Sequence, residues 1–339
     1  MDLSDVVATA MFTGVVLYGL FGGADFGSGF WDLTAGGARR GGRLRVLIDH
    51  SIGPVWEANH VWLIYILVFL WTAYPSAFAA IMTTLFIPMS LALLGIVLRG
   101  ADFAFRKYSA TIAQARLFGA LFAGASLITP FFFGTVVGAI ASGRVPAAGY
   151  GDLVESWVNP TSFIGGILAV GTCSFLAGVF LTADAARSGD PALAEYLRPR
   201  TLAVGVVTGA LAIAAIAPIR RDAPTLGDGL LGRALPLIVV SAAAGVITLV
   251  LVYRRRFGWA RVSALVAVAA IVIGWAVAQT PWILVDEMLI ADAAGARSTL
   301  IALLVVVAVA AVTVLPALGY LFWLTQTDEW ARDETARTG

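Results

Sequence analysis

The run GPVWEANHVWLIY, residues 53–65, places an acid, an amide and an imidazole within four residues: Glu57, Asn59 and His60, set between Trp56 and Trp62. A second acid, Asp25, interrupts the apolar stretch YGLFGGADFGSGFWDL. An acid buried in lipid costs about 2.5–3.5 kcal/mol on insertion scales, so such groups face a bundle interior or a water path. Two carboxyls with polar neighbours there suit the uptake and release of protons. His60 follows Glu57 by three residues, so the two side chains can meet on one helix face, whereas Asn59 faces another way. Plainer roles compete: a structural hydrogen bond for Asp25, a solvated or helix-starting position for Glu57 near Gly53 and Pro54, and a packed core imidazole for His60.

Metal chemistry on this chain alone is poorly provided for. There are two histidines, His50 and His60, and their ten-residue separation spans about 15 Å along a helix, too far to hold one haem iron between them. Met82, Met89 and Met288 could serve as axial ligands, but nothing pairs them with either histidine. The single cysteine, Cys173, can form neither an intrachain disulfide nor a metal site alone. Oxygen or electron chemistry is therefore expected mainly on another subunit.

The elements that must position these groups are membrane helices. The chain is 60% hydrophobic and 13% charged, and apolar runs recur along all 339 residues. A net charge of +1 leaves no nucleic-acid footprint. We place nine spans at roughly 6–31, 52–73, 77–99, 114–140, 162–186, 201–219, 234–253, 262–281 and 299–325. The acidic flank MDLSDVV reads as the start of a retained helix rather than of a cleaved signal. Arg39, Arg40, Arg43, Arg45, Arg99, Arg106, Lys107, Arg116, Arg187, Arg198, Arg200, Arg254, Arg255, Arg256, Arg261, Arg332 and Arg337 fall on one side of these spans. Only Arg144, Arg220, Arg221, Arg233 and Arg297 fall on the other. The positive-inside rule then puts the N-terminus outside and the C-terminus in the cytoplasm. Asp25 and Glu57 come out at similar depth, in the cytoplasmic half of adjacent helices of a short hairpin. Asp184 and Asp102 read as solvated rim residues. Gly19, Gly23 and Gly27 recur every fourth residue, a smooth seam for a packing helix. Pro88 and Pro130 interrupt spans three and four, which also admits a proton-coupled secondary transporter using Asp25 and Glu57.

The segments GADFGSG and GPVWEANHVWLI, separated by a basic loop, resemble the start of subunit II of cytochrome bd-type quinol oxidases. Asp25 falls on that family's acid in the first span, and Trp56, Glu57, Asn59, Val61 and Trp62 fall on its second motif. AYPSAFA, residues 73–79, resembles its outer turn. Three positions depart from the common pattern: Glu57 where many relatives have Asp, His60 where others often have Gln or Glu, and Gly22 in place of an acid. The resemblance implies an all-α polytopic membrane protein of about nine transmembrane helices, two four-helix bundles plus one peripheral helix. Residues 1–140 would form the first bundle, with the acidic hairpin, and 141–339 the second bundle and last helix. It implies a bacterial cytoplasmic membrane, and a chain that binds no haem itself. Its partner, subunit I, would carry b-type and d-type haems and reduce oxygen to water with electrons from quinol. A bound quinone, membrane lipid and a small accessory subunit are further candidate partners. It also implies a cytoplasmic proton route through Glu57, with Asp25, Asn59 and His60 beside it and Trp56, Trp62, Gly23 and Gly27 as packing positions.

Overall fold

The structure, a computed structural model, describes residues 2–52, 56–106 and 112–326. Its elements are almost all helical: α1 (Leu3–Thr34), α2 (Ala38–Ile52), α3 (Trp56–Ala73), α4 (Pro75–Thr84), α5 (Phe86–Arg106), α6 (Ile112–Ala141), α7 (Pro160–Arg187), α8 (Pro191–Asp222), α9 (Pro224–Leu231), α10 (Leu235–Tyr253) and α11 (Phe257–Gln279). A small hairpin of β1 (Trp282–Leu284) and β2 (Met288–Leu289) follows, then the short α12 (Ile290–Ala293) and the long α13 (Arg297–Gln326). Among the described residues, seven helices are long and apolar enough to cross a membrane, and eight if α3 and α4 count as one bent span. The apolar part of α5, Phe86–Ala101, is shorter.

Helix starts follow local chemistry. Proline stands at the first position of α4, α7, α8 and α9, where its missing N–H costs nothing. The Asn159 side chain accepts from Ser162 N–H at 2.9 Å, and Asp190 accepts from Leu193 N–H at 2.9 Å, capping α7 and α8.

Three expectations need correction. The basic segment after the first span is a helix, α2, rather than a loop. Its Leu44, Leu47 and Ile48 are buried against Ala177, Leu181 and Leu197 of α7 and α8, and its Arg45 pairs with Asp32 at 2.5 Å. The third span, expected at 77–99, is interrupted at Leu85, where α4 ends and α5 begins at Phe86, and α4 itself is bent 117° from α3 across Tyr74. Pro88 supplies the reason, because it cannot donate to the Thr84 carbonyl and its ring crowds that group. Finally, α8 runs from Pro191 to Asp222, through Pro199 and Pro218, beyond both ends of the span expected at 201–219. Each internal proline forfeits one hydrogen bond, and packing on α7 carries the helix through.

Two helix groups, α1, α3, α5, α6 and α7, α8, α10, α11, are joined through α7, which packs on α1 and α6 as extensively as on α8, with α13 against α1 and α3. Between the groups, α6 and α7 approach through glycine: a Cβ on Gly134 would stand 2.3 Å from the Gly165 carbonyl oxygen. At one end, a core of Tyr74, Ala77, Ile81 and Leu85 packs against Leu284, Ala293, Leu300 and Leu303. There the Gly295 N–H donates to the Ala73 carbonyl at 2.7 Å, tying the start of α13 to the α3–α4 bend. DEMLIADA, residues 286–293, thus belongs to this packed cap, through β2 and α12.

Candidate functional site

Asp25 sits in the C-terminal third of α1 with 4% of its surface exposed. Its Oδ2 accepts a 2.5 Å hydrogen bond from Asn59 Nδ2 on α3. Its backbone carbonyl accepts from Ser28 Oγ at 2.5 Å and from Arg99 Nη2 at 2.9 Å. Arg99, on α5, is itself 2% exposed, with its guanidinium 4.8 Å from the centre of the Phe26 ring and 5.4 Å from that of Phe122. Three helices therefore converge on one acid and one base. The guanidinium binds the Asp25 backbone carbonyl rather than its carboxylate, and bringing opposite charges into one buried cluster offsets the cost each would carry alone in a low-dielectric interior.

Arg99 does not stand out in the sequence; its position at the expected end of span three places it on the cytoplasmic rim. The later start of α5 draws it inward instead. The site also has hydrogen-bonding capacity to spare. Arg99 Nε and Nη1, Asn59 Oδ1 and the Tyr18 hydroxyl are all buried and make no hydrogen bond among the described residues. Donors and an acceptor left over around a buried carboxylate are the chemistry that orders water.

Around this centre, Tyr18 stands edge-on to Phe26, His60 and Phe133, with ring centres 6.3, 6.2 and 6.1 Å apart, and His60 is 6.0 Å from Phe26. His60 thus lies partly buried at the aromatic edge of the site. Glu57 has a different setting. It lies in the first turn of α3, where a carboxylate is favoured by the helix dipole, and its side chain is exposed. Two residues apart on a helix are about 200° apart around its axis and about 3 Å along it. Glu57 and Asn59 therefore lie at nearly one depth on opposite faces. Glu57 heads an exposed stripe down α3 through Val61, Ile64, Val68 and Trp71. Trp62 is half-buried, edge-on to Tyr65 at 6.3 Å; the Trp56 side chain lies outside the described residues.

Of the three glycines expected to form a seam on α1, Gly23 and Gly27 meet α7, whereas Gly19 faces Val272 of α11. A Cβ at Gly27 would come 1.9 Å from the Cys173 carbonyl oxygen, while one at Gly23 would meet Leu176 Cδ1 at 3.5 Å and Cys173 Sγ at 3.6 Å. The seam thus sets how closely α1, and Asp25 with it, lies on the second helix group. Asp184, expected at a solvated rim, is largely buried and binds Arg187 at 2.8 Å and also Arg261. The side chain of Asp102 and the tail beyond residue 326 lie outside the described residues. Among the described residues, no three His, Cys, Asp or Glu side chains gather where they could hold a metal ion.

Comparison with known proteins bears on the whole chain. Residues 3–325 match the family model for cytochrome bd terminal oxidase subunit II. The chain is 27% identical over 267 residues to cytochrome bd ubiquinol oxidase subunit 2 of Bacillus subtilis, covering 76% of this chain and 74% of that one. Its fold superimposes on a chain of the bd oxidase structure from Geobacillus thermodenitrificans with a TM-score of 0.81 and 25% identity, covering 96% of this chain and 99% of that one. The three-helix convergence on Asp25 and the exposed acid of α3 are therefore features of a chain that belongs to the cytochrome bd terminal oxidase subunit II family, a component of a membrane oxidoreductase.

Proposed function

We propose that this chain is the haem-free subunit II of a bd-type quinol oxidase, and that it supplies protons from the cytoplasmic side through Glu57 to an oxygen-reducing haem on subunit I. The observation that carries the reading is the placement of two acids at one depth on either side of α3. Asp25 is sealed inside with Asn59 and Arg99, while Glu57 opens onto the apolar stripe of Val61, Ile64, Val68 and Trp71. An acid at the edge of an apolar face is buried once a partner covers that face, so Glu57 becomes a group at the subunit boundary. Asn59 and His60 order the connecting water, and Asp25 forms a branch of the route, balanced by Arg99. The haems supply the redox chemistry. This chain's histidines do not fit one: His60 is packed edge-on against Tyr18 and Phe26, and His50 is exposed on α2.

The two helix groups correspond to bundles at 1–140 and 141–339 in this proposal, with α13 peripheral. Moving Arg99 into the membrane leaves the basic imbalance standing, which supports an outer N-terminus and a cytoplasmic C-terminus. A bound quinone has an apolar groove between α3, α4, α5 and α6 at its disposal, lined by Leu63, Leu67, Met82, Phe86 and Met89 with Ser90 as a polar contact. Small accessory subunits belong to the same proposal. A proton-coupled transporter draws no support from a family match running from residue 3 to residue 325.

The test is Glu57→Gln in the assembled complex. Quinol-driven oxygen consumption is expected to fall about a hundredfold or more, the low side of what a positioned proton donor contributes, with the haem absorption spectrum unchanged. Turnover equal to wild type across the pH range refutes the proton route.

A further inference from the structure

The turn Arg254–Arg256 joins α10 and α11, two long apolar helices, and therefore lies at a membrane surface. All three arginines are exposed, and they are flanked by two exposed aromatics, Tyr253 and Trp259, each 68% accessible. Arg255 adopts a left-handed backbone conformation (φ 59°). It is held there by Glu195 of α8, whose carboxylate accepts from Arg255 Nε at 2.6 Å and Nη2 at 3.3 Å. Glu195 also takes Arg198 Nε at 3.1 Å, and Arg198 in turn donates to the Tyr253 carbonyl at 3.2 Å. Arg200 lies over the Tyr196 ring at 3.7 Å. The neighbouring acids are engaged elsewhere: Asp184 with Arg187 and Arg261, Asp190 with Arg43. Five arginines thus share one carboxylate, and among the described residues neither Arg254 nor Arg256 has an ion-pair partner.

We propose that this patch binds the headgroup of an anionic phospholipid. Guanidinium groups bind phosphate oxygens in bidentate fashion. Exposed Tyr and Trp beside them match the depth of the glycerol and upper acyl chain, where such rings settle in membranes. The Arg255–Glu195 pair fixes the turn and leaves Arg254 and Arg256 available for the phosphate. The site is separate from the Asp25 cluster and does not depend on the proton route. A free phosphate ion uses the guanidinium groups but has no use for the two rings.

The experiment uses the whole complex purified in a neutral detergent. Retained lipid is quantified after exposure to micelles of phosphatidylglycerol or of phosphatidylcholine. Wild type is expected to retain phosphatidylglycerol preferentially. Arg254→Gln with Arg256→Gln is expected to lower that retention roughly thirtyfold, about fivefold per surface arginine. Arg254→Lys with Arg256→Lys keeps the charge and is expected to retain most of the lipid. Arg220→Gln with Arg221→Gln, at the far end of α8, is expected to change nothing. The preference of wild type needs no variant, so a complex that fails to assemble does not block the test. Equal retention of the two lipids by wild type overturns the proposal, as does retention unaffected by the glutamine pair. Stabilisation by inorganic phosphate alone, equal to that by phosphatidylglycerol, identifies a free-anion site and overturns it too. Protection of both arginines from phenylglyoxal in the delipidated complex shows a protein covering the patch, and this also overturns the proposal.

Discussion

The pairing of Asp25 with Arg99 can be tested by removing each charge and then both. Asp25→Asn keeps the shape of the side chain and an oxygen for Asn59 Nδ2, but leaves the guanidinium of Arg99 buried without a counter-charge. Arg99→Met keeps apolar contact with Phe26 and Phe122 and leaves the carboxylate alone instead. Arg99 bonds the Asp25 backbone carbonyl rather than its carboxylate, so the coupling is between two nearby buried charges; removing one leaves the other desolvated, at a cost of up to about 3–5 kcal/mol. The double variant leaves no buried charge, so its cost should fall well short of the sum, with a coupling of about 2 kcal/mol or more. That exceeds the ~0.5 kcal/mol within which independent sites add. The measurement is equilibrium unfolding in mixed detergent micelles, followed by tryptophan fluorescence, for wild type, both single variants and the double. A double variant whose loss equals the sum of the singles, within that margin, refutes charge compensation at this site.

The α1–α7 seam makes a sharp steric contrast. Gly27→Ala forces a methyl into the Cys173 carbonyl and should lose about 3 kcal/mol or prevent assembly, whereas Gly23→Ala meets ordinary contacts and should be close to neutral in thermal melting of the complex. Outside the membrane, the Leu193 backbone N–H, followed by Arg43, holds the Asp190 carboxyl below the usual carboxylate range. Because its folded pKa is depressed, its contribution is present above the unfolded carboxylate pKa and lost as pH falls through the folded value. Asp190→Asn, which keeps a capping oxygen, should flatten the acid side of the stability–pH profile; an unchanged profile assigns that slope to other carboxylates.

Much of this arrangement is legible in the sequence. Charged and polar residues stand out one by one in an apolar run, so Asp25, Glu57, Asn59 and His60 are conspicuous, and the depth at which they sit follows from counting along helices. Arg99 is not conspicuous, since a cation at the end of a span is what a membrane boundary usually looks like. Its burial depends on a break at Leu85, which starts α5 at residue 86 instead of 77. The proline responsible, Pro88, is visible, but prolines at 130, 199 and 218 sit inside continuous helices. Which proline breaks a helix is decided by tertiary contacts that can replace the lost hydrogen bond. The opposite facing of Glu57 and Asn59 does follow from helical periodicity alone. That Asn59 turns towards Asp25 and Glu57 outward does not, because both helix faces are similarly apolar. The helix of residues 38–52 also escapes a reading tuned to long apolar runs, since it alternates arginine with leucine along a surface.

The bond between the Gly295 amide and the Ala73 carbonyl bears on how the protein is made. The elbow after α3 is synthesised well before the residue that secures it, Gly295. Until α13 is in place, the cap of Tyr74, Ala77 and Ile81 lacks the leucines 300 and 303 that enclose it. Contacts so far apart along the chain close late, because the intervening polypeptide must first be ordered. The start of α13 is thus the latch on the elbow after α3, and a chain truncated before Gly295 is expected to leave that elbow unclosed.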